Sequence, residues 1–342
     1  MRLPTRDFRA DADRRARFLL GHFEHATGER ADADGIAFVS RDLLQVMQTQ
    51  FEVQYPELMG MMFLPPPRDR LDPGAAHFTW QSSDFVGEAK ISQSLDDRAP
   101  TVDVSVLEEA PTPFFNVTEG WTWTVDDLRA AAFARRPLPR LKPEAARKVI
   151  AIKHDDMLLI ADGSPKWFGI RGLFKLQNTC TYALPNGGSN DPRWEKKTGQ
   201  EIYDDLWAIA NEPANATNGI EVTSHIAMPT SLALQATKKR MGDGNSESAL
   251  DYFLRQQRRV NPGFQDVLVN DKLETAGATG NRRVMSYMRR NDKVFRADSV
   301  EYEEFPPSID GPRARIEART RTAGAKSPWP KSICYADQDA AS

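Results

Sequence analysis

Cysteine is almost missing from this chain: Cys180 and Cys334 are the only two among 342 residues. Such sparse use fits a reducing compartment and excludes a disulfide framework. The count allows one bridge between the two, and nothing else in the sequence supports it. Long apolar runs are missing as well. No stretch approaches the ~20 residues a membrane helix needs. The opening segment, MRLPTRDFRADADRRARFLL, carries charge without the apolar core of a secretion signal. The triplets NVT at Asn116 and NAT at Asn215 therefore imply no glycans. Charge of one sign is not in excess, with 45 Lys and Arg against 48 Asp and Glu and a net charge of −3. A dedicated nucleic-acid reader usually has a clear basic surplus.

Catalytic signatures are scarce too. No Gly-rich phosphate loop with Lys and Ser/Thr occurs, and no G-x-S-x-G elbow. The PNGGSN segment at Pro185 is a turn by composition. Histidine numbers five: His22, His25, His77, His154 and His225. His22 and His25 are spaced i, i+3, but no third anchored ligand lies near them. His154, Asp155 and Asp156 resemble a metal cluster. Consecutive helical residues diverge by about 100°, so the three cannot converge on one ion; a solvated face or an inter-subunit salt bridge is the expectation. Cys180 sits in an apparent strand with no neighbouring His, which argues against a nucleophile. The basic groups Lys238 to Arg240 and Arg289 to Arg290 read first as solvated ends of elements, and second as places where phosphate could touch. No catalytic, cofactor-binding or metal-ligating residue is assigned, and no cofactor.

What the chain does have is 40% hydrophobic and 27% charged residues, a soluble globular composition with enough length for two domains. Residues 1–35 read as an arm rich in Arg, Asp and Ala, followed by a helix with Leu43, Leu44, Met47 and Phe51 in helical spacing. The Pro- and Gly-punctuated stretch Pro65 to Gly74 is a stiff connector. Next comes a hairpin. Phe78 and Trp80 alternate with polar residues, and after the tip SQSLDDRAP so do Val102, Val104 and Val106. Two strands alone are marginal in water, so this ribbon needs a surface to lie on.

Trp121 and Trp123 end a further strand, and Thr124 with Asp127 opens a helix in the manner of a capping box. A second helix has Pro143 in its first turn and Gly163 past its end. Its ~20 residues span ~30 Å, with Ala146, Val149, Ile150, Met157 and Ile160 as the buried stripe against a sheet of the 102–123 and terminal strands. An α/β body follows. Thr198 and Glu201 open a helix with Ile202, Leu206 and Ile209 on one face. A buried strand runs into a helix at Pro229, GDGNSES separates that helix from SALDYFLRQQRRV, and FQDVLVN, RRVMSYMRR, PRARIEARTRTAG and SICYAD are strands.

These pieces, in this order, resemble the tailed-phage major capsid proteins of the Hong-Kong-97-type (HK97-like) fold. The resemblance is carried by SDFVGEAKI followed by PTVDVSV, by GWTWTVDDLRAAAFARRPL running into EAARKVIAIKHDDMLLIAD, by WFGIRGLF, by HIAMPTSLALQA, and by RTAGAKSPWPKSICYAD. It implies an α+β chain: residues 1–50 an N-terminal arm and helix, 51–112 a connector and extended loop, 113–169 plus 285–338 a peripheral domain with a spine helix at 142–162, and 170–284 an axial α/β domain. It also implies a structural protein, not an enzyme. Such a protein self-assembles through pentamers and hexamers into an icosahedral shell around phage double-stranded DNA. Portal and scaffold or decoration proteins are its implied partners, with weak non-specific DNA contact and no membrane. Its implied place is the virion capsid, assembled in the bacterial host cytoplasm. Some family members form Lys–Asn cross-links; Lys90 lies in the extended loop, but no motif identifies an Asn partner. Two other readings stand beside this one: an encapsulin-like compartment shell, and a soluble α/β enzyme of unknown chemistry.

Overall fold

A computed structural model describes residues 57–91, 101–133, 141–242 and 245–338. The N-terminal arm, the helix expected near Leu43 and the hairpin tip lie outside these residues. The described elements belong to the unit Leu58–Ser342. In chain order they are α1 (Gly60–Phe63), β1 (His77–Phe78), β2 (Gln81–Val86), β3 (Asp103–Glu108), β4 (Thr112–Pro113), β5 (Phe115–Thr124), α2 (Val125–Phe133) and α3 (Leu141–Leu159). Then follow β6 (Cys180–Thr181), α4 (Gly199–Ala216), β7 (His225–Met228), α5 (Thr230–Lys238), β8 (Arg240–Gly242), β9 (Asn245–Ser248), α6 (Ala249–Val260) and β10 (Asp266–Val269). The chain continues with β11 (Arg282–Tyr287), β12 (Phe295–Glu304), β13 (Ser308–Asp310), β14 (Arg313–Lys326) and β15 (Ile333–Gln338).

The long helix α3 lies on a sheet in which β14 pairs with β12, β13 and β5. Strand β14 alternates Arg-Ala-Arg-Ile-Glu-Ala-Arg-Thr, so one face is apolar and one charged. On the apolar face, Ala318 joins Trp121 and Trp123 of β5 and Ala146 and Ile150 of α3 in one cluster. Met157 extends the contact to Trp167 and Ile170. Val149, expected in the stripe, is half exposed, and Ile160 is partly buried. The helix instead buries Leu158 and Leu159, which pack beneath the second sheet.

That second sheet has five strands in the order β10-β7-β11-β15-β6. It is covered on both faces. Ile226, Met228, Val284 and Ala336 meet Ile202, Leu206 and Ile209 of α4, Leu232 of α5 and Phe253 of α6. Ala227, Met285, Tyr287, Ile333 and Tyr335 face Phe63, Leu64, Leu158, Leu159, Leu173 and Phe174. The terminal strand is therefore not under α3 on the sheet with β5, as its sequence position suggested. Residues 333–336 are all buried, and a run apolar on both sides belongs inside a doubly covered sheet rather than on a one-faced one. Residues 103–108 are likewise absent from the α3 sheet, since they pair with β2.

Local signals read from the sequence hold where the chemistry is short-range. Thr124 Oγ1 accepts from Asp127 N and Asp127 Oδ2 accepts from Thr124 N, both at 3.1 Å. Thr198 and Glu201 form the corresponding pair at α4. After α3 the chain doubles back through a tight turn in which Gly163 N donates to Ile170 O and Gly172 N donates to Ala161 O. A Cβ on Gly172 would lie 2.4 Å from the Leu159 carbonyl carbon, so only glycine fits there. Of the separator expected at 242–248, Gly242 ends β8 and residues 245–248 form β9, which pairs with it as a short antiparallel ribbon. Cys180 and Cys334 are register partners on the adjacent parallel strands β6 and β15, and both thiols are free.

Candidate assembly surfaces

Among the described residues, the ribbon β2–β3 is a surface with little cover of its own. Its root is anchored. β1 pairs with β4, and Phe78 packs on Phe295 and Trp80 with ring centroids 5.9 and 5.7 Å apart. Beyond the root the register pairs Gln81 with Glu108, Ser83 with Val106 and Phe85 with Val104. Directly opposed residues share a face, so Phe85, Val104 and Val106 line one side, and the period of two adds Val102. Their exposures are 74%, 50%, 61% and 67%. The other side carries Ser82, Asp84, Asp103 and Ser105 together with exposed Val86 and Leu107. Alternation thus gathers four exposed apolar side chains on one face, though Val86 and Leu107 break the polarity of the other. Full burial of each such side chain stabilises by roughly 1.5–3 kcal/mol.

A groove opens along one flank of α3. Leu58 and Met61 of the α1 region, Ile150, Ala151 and Leu158 of α3, and Tyr302 of β12 line a volume of about 280 Å3, with Arg147 and Glu301 at its rim. Leu58 and Met61 are 41% and 52% exposed, and Met62 beside them is half exposed. Methionine suits a site that must adapt to an incoming shape. Burial and Glu304 raise the Tyr302 hydroxyl to about 12, so it remains a neutral donor at ordinary pH.

The polar residues singled out in the sequence have other work. His154 and Asp155 are buried rather than solvated. His154 Nε2 lies 3.0 Å from Asp298 Oδ1, and Asp298 Oδ2 is 3.5 Å from Arg296. Asp155 accepts from the Gly60 amide at 2.5 Å and from Lys272, which also reaches Asp156 at 2.6 Å. The two carboxylates outweigh burial and raise the Lys272 ammonium above its ordinary value. These contacts tie α3 to α1, to the loop after β10 and to β12. The inter-subunit salt bridge expected of this triplet is replaced by ties within one chain. The residues diverge around the helix as expected, each to a separate partner.

Of the basic groups, Arg240 donates to Ser246 O and Arg290 is paired with Asp292. Arg289 lies close enough to His225 that, after burial, its charge helps hold the imidazole down at about 4. Cys334 is fully buried, which raises its thiol far above the ordinary range. Among the described residues no group of three or more His, Cys, Asp or Glu side chains is placed to hold a metal ion. The exposed ribbon face and the groove were legible only in part. Alternation predicts the first, whereas the second joins segments some 90 and 240 residues apart in the chain.

A family model described as major capsid protein matches residues 87–338. No curated protein matches the chain significantly. Among solved structures, the capsid of the Myoviridae phage XM1 superposes with a TM-score of 0.69 at 15% identity, covering 87% of this chain and 97% of that one. The capsid of a native GTA particle gives 0.58 at 12% identity, covering 91% and 100%. A chain of Gordonia phage Cozz gives 0.55 at 13%, covering 91% and 96%. At such identities the likeness is one of fold.

Proposed function

Because the chain belongs to the major capsid protein family, we infer that many copies of it build the icosahedral shell that encloses phage double-stranded DNA. Its fold is the mixed helix-and-sheet HK97-like capsid fold. The observation that carries the reading is the ribbon β2–β3. Four large apolar side chains stand exposed on one face of a two-stranded element that has no bed among the described residues. Two strands are too few to justify themselves in isolation. Symmetric reuse of one interface covers every such face in a closed shell. The groove flanked by Leu58 and Met61 is a bed of matching character on a neighbouring copy.

In this reading the ribbon is the extended loop, α3 the spine helix, and the sheet of β5, β12, β13 and β14 the core of the peripheral domain. The five-stranded sheet with α4, α5 and α6 is the axial domain. It takes in β11 and β15, because hydrogen bonding joins those strands to β7 and β6. The protein is a structural component of the virion capsid without enzymatic turnover, assembled in the bacterial host cytoplasm alongside portal and scaffold or decoration proteins. Negative-stain imaging and light scattering of the purified protein test this reading. Closed shells, or pentamers and hexamers on the way to them, are expected. A compact monomer at high concentration across several salts overturns it.

A further inference from the structure

We propose that one edge of α3 is a contact line for the phosphate backbone of double-stranded DNA, a role that rests on the shell reading for the DNA being enclosed. Near-zero net charge hides an uneven distribution. Two exposed cations of α3, Lys142 and Lys153, stand on this edge, whereas Arg147 and Lys148 lie well over 100° further around the axis. Exposed Lys166 follows on the turn after the helix. Nearby carboxylates are engaged. Asp155 and Asp156 turn inward to Lys272, and Asp162 accepts from the Ser164 amide at 2.9 Å.

Lys142 and Lys153 are eleven residues apart, which places them about 20° apart around the axis and about 16 Å apart along it. Both are held in position. Lys142 Nζ lies 4.2 Å from the Trp123 ring centroid and donates to Thr122 O at 3.0 Å. Lys153 Nζ lies 3.8 Å from the centroid of Trp167, with Lys166 on the same ring at 5.5 Å. A lysine laid over a buried aromatic gives up rotamer freedom before it meets a ligand, so less is lost on binding. Lys142 is 3.8 Å from Asp127, yet its side chain stays 46% exposed.

The edge differs from the apolar groove. Arg147, Ile150, Ala151 and His154 line that groove on another flank of the helix, so an apolar ribbon and a polyanion need not compete for one bed. The basic groups at Arg240 and Arg290 are occupied by partners within the chain, which leaves the α3 edge as the stronger candidate. Three phosphates neutralised per subunit, by Lys142, Lys153 and Lys166, give a slope of log K against log salt near −2.7, or roughly a 40-fold loss of affinity between 50 and 200 mM salt.

The test is anisotropy of a labelled random-sequence 30-base-pair duplex titrated with full-length capsomers at 50, 100 and 200 mM salt. A variant carrying Lys142→Gln, Lys153→Gln and Lys166→Gln is compared with wild type and with the three-fold Lys→Arg variant. Circular dichroism confirms folding, and the Arg variant reports on any loss due to packing alone. The Gln variant is expected to lose tenfold or more in affinity at 50 mM and most of its salt slope, while still forming shells. The Arg variant is expected to bind like wild type. Equal binding by Gln variant and wild type overturns the proposal. So does a Gln variant that binds DNA normally but forms no shells, since the edge is then a bed for a neighbouring subunit. Wild-type protein that forms no shells at all counts against the shell reading instead, and the duplex titration is read independently of it.

Discussion

Ile150 is 2% exposed and sits among Trp121, Trp123, Ala146 and Ala318. Ile150→Asp buries an unpaired carboxylate there, at a cost on the order of 3–5 kcal/mol. A domain's whole net stability is ~5–15 kcal/mol. Denaturant titration is expected to show a large loss or no folded baseline; a variant as stable as wild type means that the buried face of α3 is misassigned. His225 gives a pH-dependent counterpart. Burial and Arg289 hold its imidazole down at about 4, below the ordinary 6.5. Between those values the unfolded chain binds the proton and the folded chain does not, so stability is full above about 6.5 and falls as pH drops toward 4. A His225→Gln variant should show a flatter decline in melting temperature over that window than wild type; parallel curves would assign the decline to other groups. At this scale the sequence misleads wherever a partner is remote. His154 finds Asp298 144 positions away, and Asp155 finds Lys272 117 positions away. No local pattern distinguishes such a buried network from a solvated face.

In the shell reading the ribbon is the element whose removal from water waits for assembly. Val104→Asp with Val106→Asp places charges on side chains already at least half exposed. The isolated subunit should melt within a few degrees of wild type, since surface substitutions usually change stability by about 0.5 kcal/mol or less. Shell yield in the same preparation should collapse, which imaging reads directly. Normal shells from the double variant would show that the face is not an assembly surface. Elements set by local chemistry were legible: the two capping pairs, β7 running into α5 at Pro229, and the alternation of β14. Strand β12 was not. KVFRADSVEYEE mixes charge with no clean period, and its pairing with β14 shifts register three times. Those irregularities blur the alternation that betrays a strand.

For the whole molecule, the notable feature is chain order against spatial order. The five-stranded sheet places β15 between β11 and β6 although β11 and β15 are separated in sequence by β12, β13 and β14. Sequence order suggested that the last strand belongs with its neighbours in the chain, and only its apolar character on both faces pointed elsewhere. Truncation after Lys331 removes an inner strand from between β11 and β6, and with it Tyr335, whose hydroxyl donates to Leu173 O, and Asp337, which pairs with Arg283. The truncated chain should lack a cooperative unfolding transition and collect in the insoluble fraction. A soluble, cooperatively melting product would show that the remaining strands close without it.

The inner position of β15 also bears on synthesis. A ribosome adding ~5–20 residues per second needs roughly 3–10 s to pass from the end of β11 to the end of β15. Throughout that interval the sheet has an open seam, while the apolar ribbon has long since emerged. A prematurely terminated copy carries the adhesive element but not the rigid body that would present it at the correct angle. In the shell reading, a copy therefore presents its ribbon in the geometry of the lattice only once β15 has filled its inner slot.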